Sequence, residues 1–163
     1  MPKQTRSSRK PKRSATKSPK PSARRKFRSG TYVVPCGNVS LAVPSFWTLR
    51  QTNDDIELEA PGGETSVLVS AYQRQPKVGR LDAREYLQRL LATLRSNGTA
   101  RVTEDTRSRA AAQYRDEQGD AWEAMFLSNG DTLLLATCST HSKRTGKDAK
   151  IALEVLHSLK LKR

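Results

Sequence analysis

Between Met1 and Phe27 the chain has no large apolar side chain, so nothing in this segment can seed a hydrophobic core. Residues 1–28 carry 12 Lys/Arg, and the first acidic residue of the chain is Asp54. A segment of this composition, rich also in Ser and Pro, buries too little apolar surface to offset the entropy of ordering. It is predicted to be a disordered basic N-terminal tail. Folding is thereby confined to residues 29–163, enough for one domain with a sizeable core. The overall charge of +14 belongs mostly to the tail, because the other 18 Lys/Arg meet 16 acids and leave only +2. The basicity therefore says nothing about the surface of the domain.

Within the domain the apolar period changes in a definite order. "TYVVP" and "VSLAVP" read as short strands joined by the tight turn "CGN", and Pro44 ends the second. "SFWTLRQ" is expected to bring Phe46 and Trp47 into or beside the core. In "DIELEAPGGETSVLVSAYQ", Ile56 and Leu58 alternate with Glu57 and Glu59, and "PGGE" connects them to Val67, Val69 and Ala71 in a second hairpin. "LDAREYLQRLLATLRSNG" then reads as a helix: Asp82 and Glu85 have capping-box spacing, Tyr86, Leu87, Leu90, Leu91 and Leu94 form one face, and Gly98 is placed to close it. "SRAAAQYR", "AWEAMFL" and "TLLLATCS" follow as a meander, the last turn containing the Asn129-Gly130 pair. Trp122, Ala124 and Phe126 share a face of the middle strand, with Glu123 and Met125 on the other. That mixed face predicts helix cover on one side and partial solvent on the other. "DAKIALEVLHSLKL" closes the chain as a helix with an Ile151, Val155, Leu159 stripe, and Lys160 and Lys162 suit its negative end. The fold class is α+β: an antiparallel β-sheet with flanking helices, which are free to lie on both sides of it.

Residues able to do chemistry are few and scattered. Cys36 and Cys138 are too far apart for a local metal motif and too few for a disulfide scaffold; two buried thiols or one bond both remain open. His141 follows Cys138 at Cys-x-x-His spacing, but nucleophilic catalysis needs a hydrogen-bonded base and an orienting partner that adjacency does not supply. His157 reads as boundary packing on the last helix, and with two histidines no metal site of local spacing is present. Asp54, Asp55, Glu57, Glu59, Asp116, Glu117 and Asp120 all read as solvent-facing, which gives no pair of unlike environments for acid–base work. Gly146-Lys147 lacks the glycine-rich run and the following Ser/Thr of a phosphate loop. Catalytic residues, metal and cofactor are accordingly expected to be none.

The tail offers a different kind of contact. Polycations bind phosphate backbones by counterion release without a folded site, and Lys17, Lys20, Arg24, Arg25, Lys26 and Arg28 are the candidate contacts. The same charges also suit anionic lipid or a purely solubilising role. Arg24, Arg25 and Phe27 have a spacing similar to a twin-arginine export signal, but Pro35, Gly37, Asn38 and Pro44 interrupt the apolar segment such a signal requires. No run of the sequence approaches membrane-spanning length.

"VSLAVPSFW", the hairpins after it, the helix "DAREYLQRLLATL", the meander ending "TLLLATC" and the terminal "ALEVLHSLKL" together resemble the PsbP/DcrB/Mog-type α/β/α sandwich, over residues 31–162. The resemblance implies a protein-binding scaffold more than a reaction, and it transfers no functional residue. The basic tail lies outside the family pattern. The expectation is a cytoplasmic, non-catalytic protein-interaction or adaptor domain with a protein partner, exposing a continuous apolar or aromatic patch on the sheet or beside the first helix. Two other classes stay open: a nucleic-acid-associated protein binding through its tail, and a small enzyme, which would require Cys138 or His141 in an enclosed pocket.

Overall fold

A computed structural model describes residues 27–34, 37–52, 55–94, 99–140 and 146–161. The chain order is β1 (Phe27–Val34), β2 (Gly37–Pro44), β3 (Thr48–Gln51), β4 (Asp55–Glu59), β5 (Thr65–Gln73), α1 (Ala83–Leu94), β6 (Arg101–Asp105), β7 (Arg109–Arg115), β8 (Ala121–Ser128), β9 (Thr132–Thr140), α2 (Lys147–Ser158) and β10 (Lys160–Leu161). The strands form a seven-stranded antiparallel sheet in the order β3-β4-β5-β9-β8-β7-β6 and a three-stranded one in the order β1-β2-β10.

Period-2 alternation in the central strands supplies two apolar faces. On one side Leu58, Val67, Val69, Ala111, Met125, Leu134 and Ala136 join Ile151, Val155 and Leu156 of α2 and Val39 and Leu41 of β2 in the larger core. On the other, Ala110, Ala112, Phe126 and Leu133 receive Leu87 and Leu91 of α1. Alanines at 110–112 let strand β7 face a helix on one side and the larger core on the other. The α1–sheet–α2 layering realises the expectation of helices on both sides.

Helix α1 starts as its spacing predicts: the backbone N–H of Arg84 donates to Asp82 Oδ1 at 2.9 Å. Glu85 instead pairs with Arg89 one turn later. Gly98 lies outside the described residues. The β8–β9 turn is closed by Asn129, whose Oδ1 accepts from the N–H groups of Asp131 and Thr132 at 3.0 and 2.8 Å. Gly130 takes φ +96°, and that backbone conformation is what requires glycine; the Arg80 guanidinium beside it is the end of a flexible side chain that can move aside.

Three expectations require correction. The last helix ends at Ser158, because Lys160 and Leu161 pair with Ser40 and Val39 of β2 as a strand; Lys160 therefore does not serve the helix end, and Lys162 lies outside the described residues. Ser158 makes the junction, donating to Val155 O and accepting from the N–H of Ala42 at 2.8 Å. "TLRQ" and "RVTED", to which the sequence pattern assigns no element, are the edge strands β3 and β6. Phe46 is 46% exposed while Trp47 alone enters the core. Glu123 is not half-solvated: it is 2% exposed, because the face it shares with Met125 lies under α2.

Since α1 and α2 lie on opposite faces, their contributions are expected to be independent. Leu87→Ala and Leu156→Ala should each cost about 2–5 kcal/mol in denaturant unfolding, and the double variant should equal the sum within about 0.5 kcal/mol.

Candidate functional site

Six inter-strand steps of about 4.8 Å make the large sheet roughly 29 Å wide, whereas a helix with its side chains is only about 10–12 Å across. The α2 side solves this mismatch by adding the small β-sheet. The other side has α1 alone, which packs on β7 and β8. The outer face of β3, β4 and β5, continuing across the upper ends of β9, β8 and β7, is left without a covering element among the described residues.

Register identifies what this bare half-face presents. Ser66 of β5 lies opposite Ser139, which lies opposite Trp122, which lies opposite Tyr114. The next row runs from Glu57 through Leu68 to Thr137 and ends at Ala124, which is fully buried. Leu68 is 41% and Tyr72 50% exposed, two large side chains four residues apart on the outward phase of one strand. Tyr114 and Trp122 stack with ring planes 8° apart and centroids 6.3 Å apart.

The β7–β8 turn locks that stack. Asp116 accepts from the N–H groups of Gln118 and Asp120 at 3.0 and 2.8 Å and from Trp122 Nε1 at 2.8 Å. The hydrogen bond from the indole, and those from the turn backbone, hold the Asp116 carboxyl below the usual carboxylate value. Burial, with Asp116 nearby, pushes the Tyr114 phenol above its ordinary value. At the opposite edge Arg50 reaches Glu57 at 3.7 Å and Glu59 at 3.4 Å. Residues 51–73 contain five acids and no Lys/Arg, so this edge stays acidic despite Arg50. An apolar and aromatic centre with an acidic border can hold a protein segment with apolar anchors and basic neighbours.

Two other places hold polar groups. Glu123, between sheet and α2, accepts from Gln113 Nε2 at 2.8 Å and contacts His157 Nε2 at 2.7 Å. His157 is thus more than boundary packing: it satisfies a buried carboxylate, and the exposed half of its ring faces solvent. An open cavity of about 390 Å³ lies at the start of α1, lined by Arg80, Asp82, Arg107, Ser128 and Gly130 among others. Asp82 is engaged as the helix cap, with Arg107 3.7 Å away.

Of the residues singled out in the sequence, Lys17, Lys20, Arg24, Arg25 and Lys26 lie outside the described residues, as do Cys36, Asp54 and His141. Arg28 falls in β1, opposite Val43. Cys138 is 2% exposed in the larger core, away from any opening to solvent. Among the described residues no group of three or more His, Cys, Asp or Glu is placed to hold a metal ion, and no helix is long and apolar enough to cross a membrane. The bare half-face itself was not singled out. Its signal was Leu68, an apolar residue on the phase of β5 opposite to Val67, Val69 and Ala71.

This architecture is that of the PsbP/DcrB/Mog-type α/β/α sandwich, shared at low sequence identity. The chain is similar in structure to the cyanobacterial PsbP (CyanoP) of Synechocystis sp. PCC 6803, with TM-score 0.55 and 12% identity over 89% of this chain and 98% of that one. It is similar also to the Ran-binding protein Mog1p of Saccharomyces cerevisiae, with TM-score 0.53 and 7% identity over 83% of this chain and 96% of that one. A Bacteroides thetaiotaomicron structure aligns at TM-score 0.48 and 16% identity over 77% of this chain, which spans 45% of that one. No protein-family profile and no curated protein matches the chain.

Two outcomes test the polar anchors. Asp116 has a depressed folded-state value, so the stability it confers is present above the ordinary carboxylate value of 3.8 and is lost as pH falls through the lower folded value. Denaturant unfolding at stepped acid pH should therefore show a steeper loss in the parent chain than in Asp116→Asn. Separately, His157→Ala leaves buried Glu123 short of a partner and should cost about 1–3 kcal/mol in the same assay at neutral pH.

Proposed function

We propose that this chain is a non-catalytic protein-interaction domain, a cytoplasmic adaptor whose docking surface is the outer face of β3–β5 with the Tyr114–Trp122 stack. The observation that carries the reading is the exposure of Leu68 and Tyr72 on a sheet face with no covering element among the described residues. Large apolar groups in that setting contribute more when a partner desolvates them than they do to the isolated fold. The stacked aromatics supply rigid contact area, and the Ser66–Ser139 pair, 3.3 Å apart, offers hydroxyls for hydrogen bonding between them. A comparable use of the fold supports the reading, since one protein that shares it is by name Ran-binding.

The face also suits lateral recognition better than strand addition. Edge strand β3 has four residues, and edge strand β6 carries a register shift between Val102 and Glu104. Short and irregular edges resist pairing with a further strand. A partner is thus expected to lie across the face.

The test is partner purification on the full chain, followed by reconstituted binding of the identified partner. Leu68→Asp should weaken that binding at least about tenfold, as loss of a central anchor does, while the unfolding midpoint stays near that of the parent. Lys150→Glu, on the exposed side of α2, should bind as the parent does. Equal binding by Leu68→Asp overturns the assignment of the face.

A further inference from the structure

We infer that the basic arm preceding β1, residues 1–26, docks in cis on this same half-face, along the acidic edge of β3–β4 toward the Tyr114–Trp122 stack, and so competes with an external partner. The inference rests on the reading of that face as a docking surface and names its resident occupant.

Charge is the first ground. Residues 1–26 contain 11 Lys/Arg and no acid, whereas residues 51–73 contain five acids and no Lys/Arg. Asp55, Glu57 and Glu59 stand opposite Ser70, Leu68 and Ser66 and therefore share their face, and Glu64 follows in the turn to β5. Arg50 opposes Glu57 and Glu59 but leaves this edge with an excess of negative charge.

The point of entry is the second ground. Phe27, where the arm joins the fold, pairs with Pro44, whose carbonyl accepts from the N–H of Trp47 at 3.1 Å. Thr48 then opens β3 directly opposite Glu59. The arm is thus tethered beside the β3 edge, in the small sheet on the α2 side, and rounds that edge to reach the opposite, bare face.

Reach and concentration agree with this. Twenty-six residues have a contour of roughly 85 Å, well beyond the about 19 Å of four strand steps from β3 to β8. Tethering at that range gives an effective concentration of order 1 mM, so a contact of only about 0.1 mM intrinsic affinity would be occupied roughly nine-tenths of the time. The half-buried Tyr114 and Trp122 rings are aromatic partners of the kind a guanidinium of the arm binds by cation–π attraction. Arg89 already lies 5.2 Å from the Tyr86 ring on neighbouring α1.

The experiment is zero-length carbodiimide cross-linking of the full chain at low protein concentration, read by mass spectrometry. Amides joining arm lysines to Asp55, Glu57 or Glu59 within one chain should exceed those to Asp148 and Glu154 of α2 by about fivefold, and should fall severalfold between about 50 and 500 mM salt. Arg24→Glu/Arg25→Glu/Lys26→Glu should reduce them, with the unfolding midpoint unchanged. Cross-links spread evenly over the acids, links only between two chains, or none to β4 would each overturn the cis seat. The partner assay separates the two readings. If Leu68→Asp loses its partner while no arm cross-links reach β4, the docking surface stands and the cis occupant falls. If the cross-links form while Leu68→Asp binds normally, the arm seat stands and the partner surface must lie elsewhere.

Discussion

Strand β9 is buried on both faces: Leu134, Ala136 and Cys138 point to the α2 side, while Leu133 is buried and Leu135 half-buried on the α1 side. It lies between β5 and β8 and pairs with both along nearly its full length. A strand of that kind must have cover on two sides, and each side obtains it differently. The α2 side draws on one helix plus β1, β2 and β10, sealed where Ser158 joins the helix end to β2. The α1 side draws on one helix, whose diameter suffices for about two strands. Unequal cover of a single wide sheet is thus the source of both the deep core under α2 and the bare half-face beside α1.

Regular alternation made β4 and β5 legible, turn residues bracketed the apolar runs of β7–β9, and the apolar period marked α1 and α2. Strands β3, β6 and β10 were not legible, because exposed edge strands need no alternation and β10 has two residues. Where a strand lies in the sheet, not its own residues, decides whether it shows a pattern. Glu123 illustrates the same limit from inside. A lone carboxylate beside Met125 reads as a solvent-facing position, and only the convergence of Gln113 from β7 and His157 from α2 makes its burial tolerable. Sequence distance hides that convergence: 34 residues separate Glu123 from His157.

The bare half-face was partly legible. A patch on the sheet or beside the first helix was an expectation of the resemblance, and Leu68 on the polar phase of β5 marked the place. The Tyr114–Trp122 stack was not predictable, since pairing these rings requires the exact β7–β8 register and the turn that Asp116 holds. The loud feature of the sequence, its basic arm, said nothing about where on the domain it could act. That depended on the strand β1 it leads into and on the acidic edge beside its point of entry.

Polar decoration of the bare face does little for the stability of the fold. Ion pairs such as Arg50 with Glu57 and Glu59, more than a third exposed on nearly every side chain, are worth at most about 1 kcal/mol each, and the serine and threonine hydroxyls between them have water as an equal partner. Leu68 and Tyr72 keep about half of their surface in water, apolar area whose further burial would be favourable. A face that is inexpensive to rearrange and unfavourable to leave wet is one whose composition makes sense when something lies on it. The core under β9 and the two helices is built from the buried phases of the strands and does not draw on the exposed residues of that face.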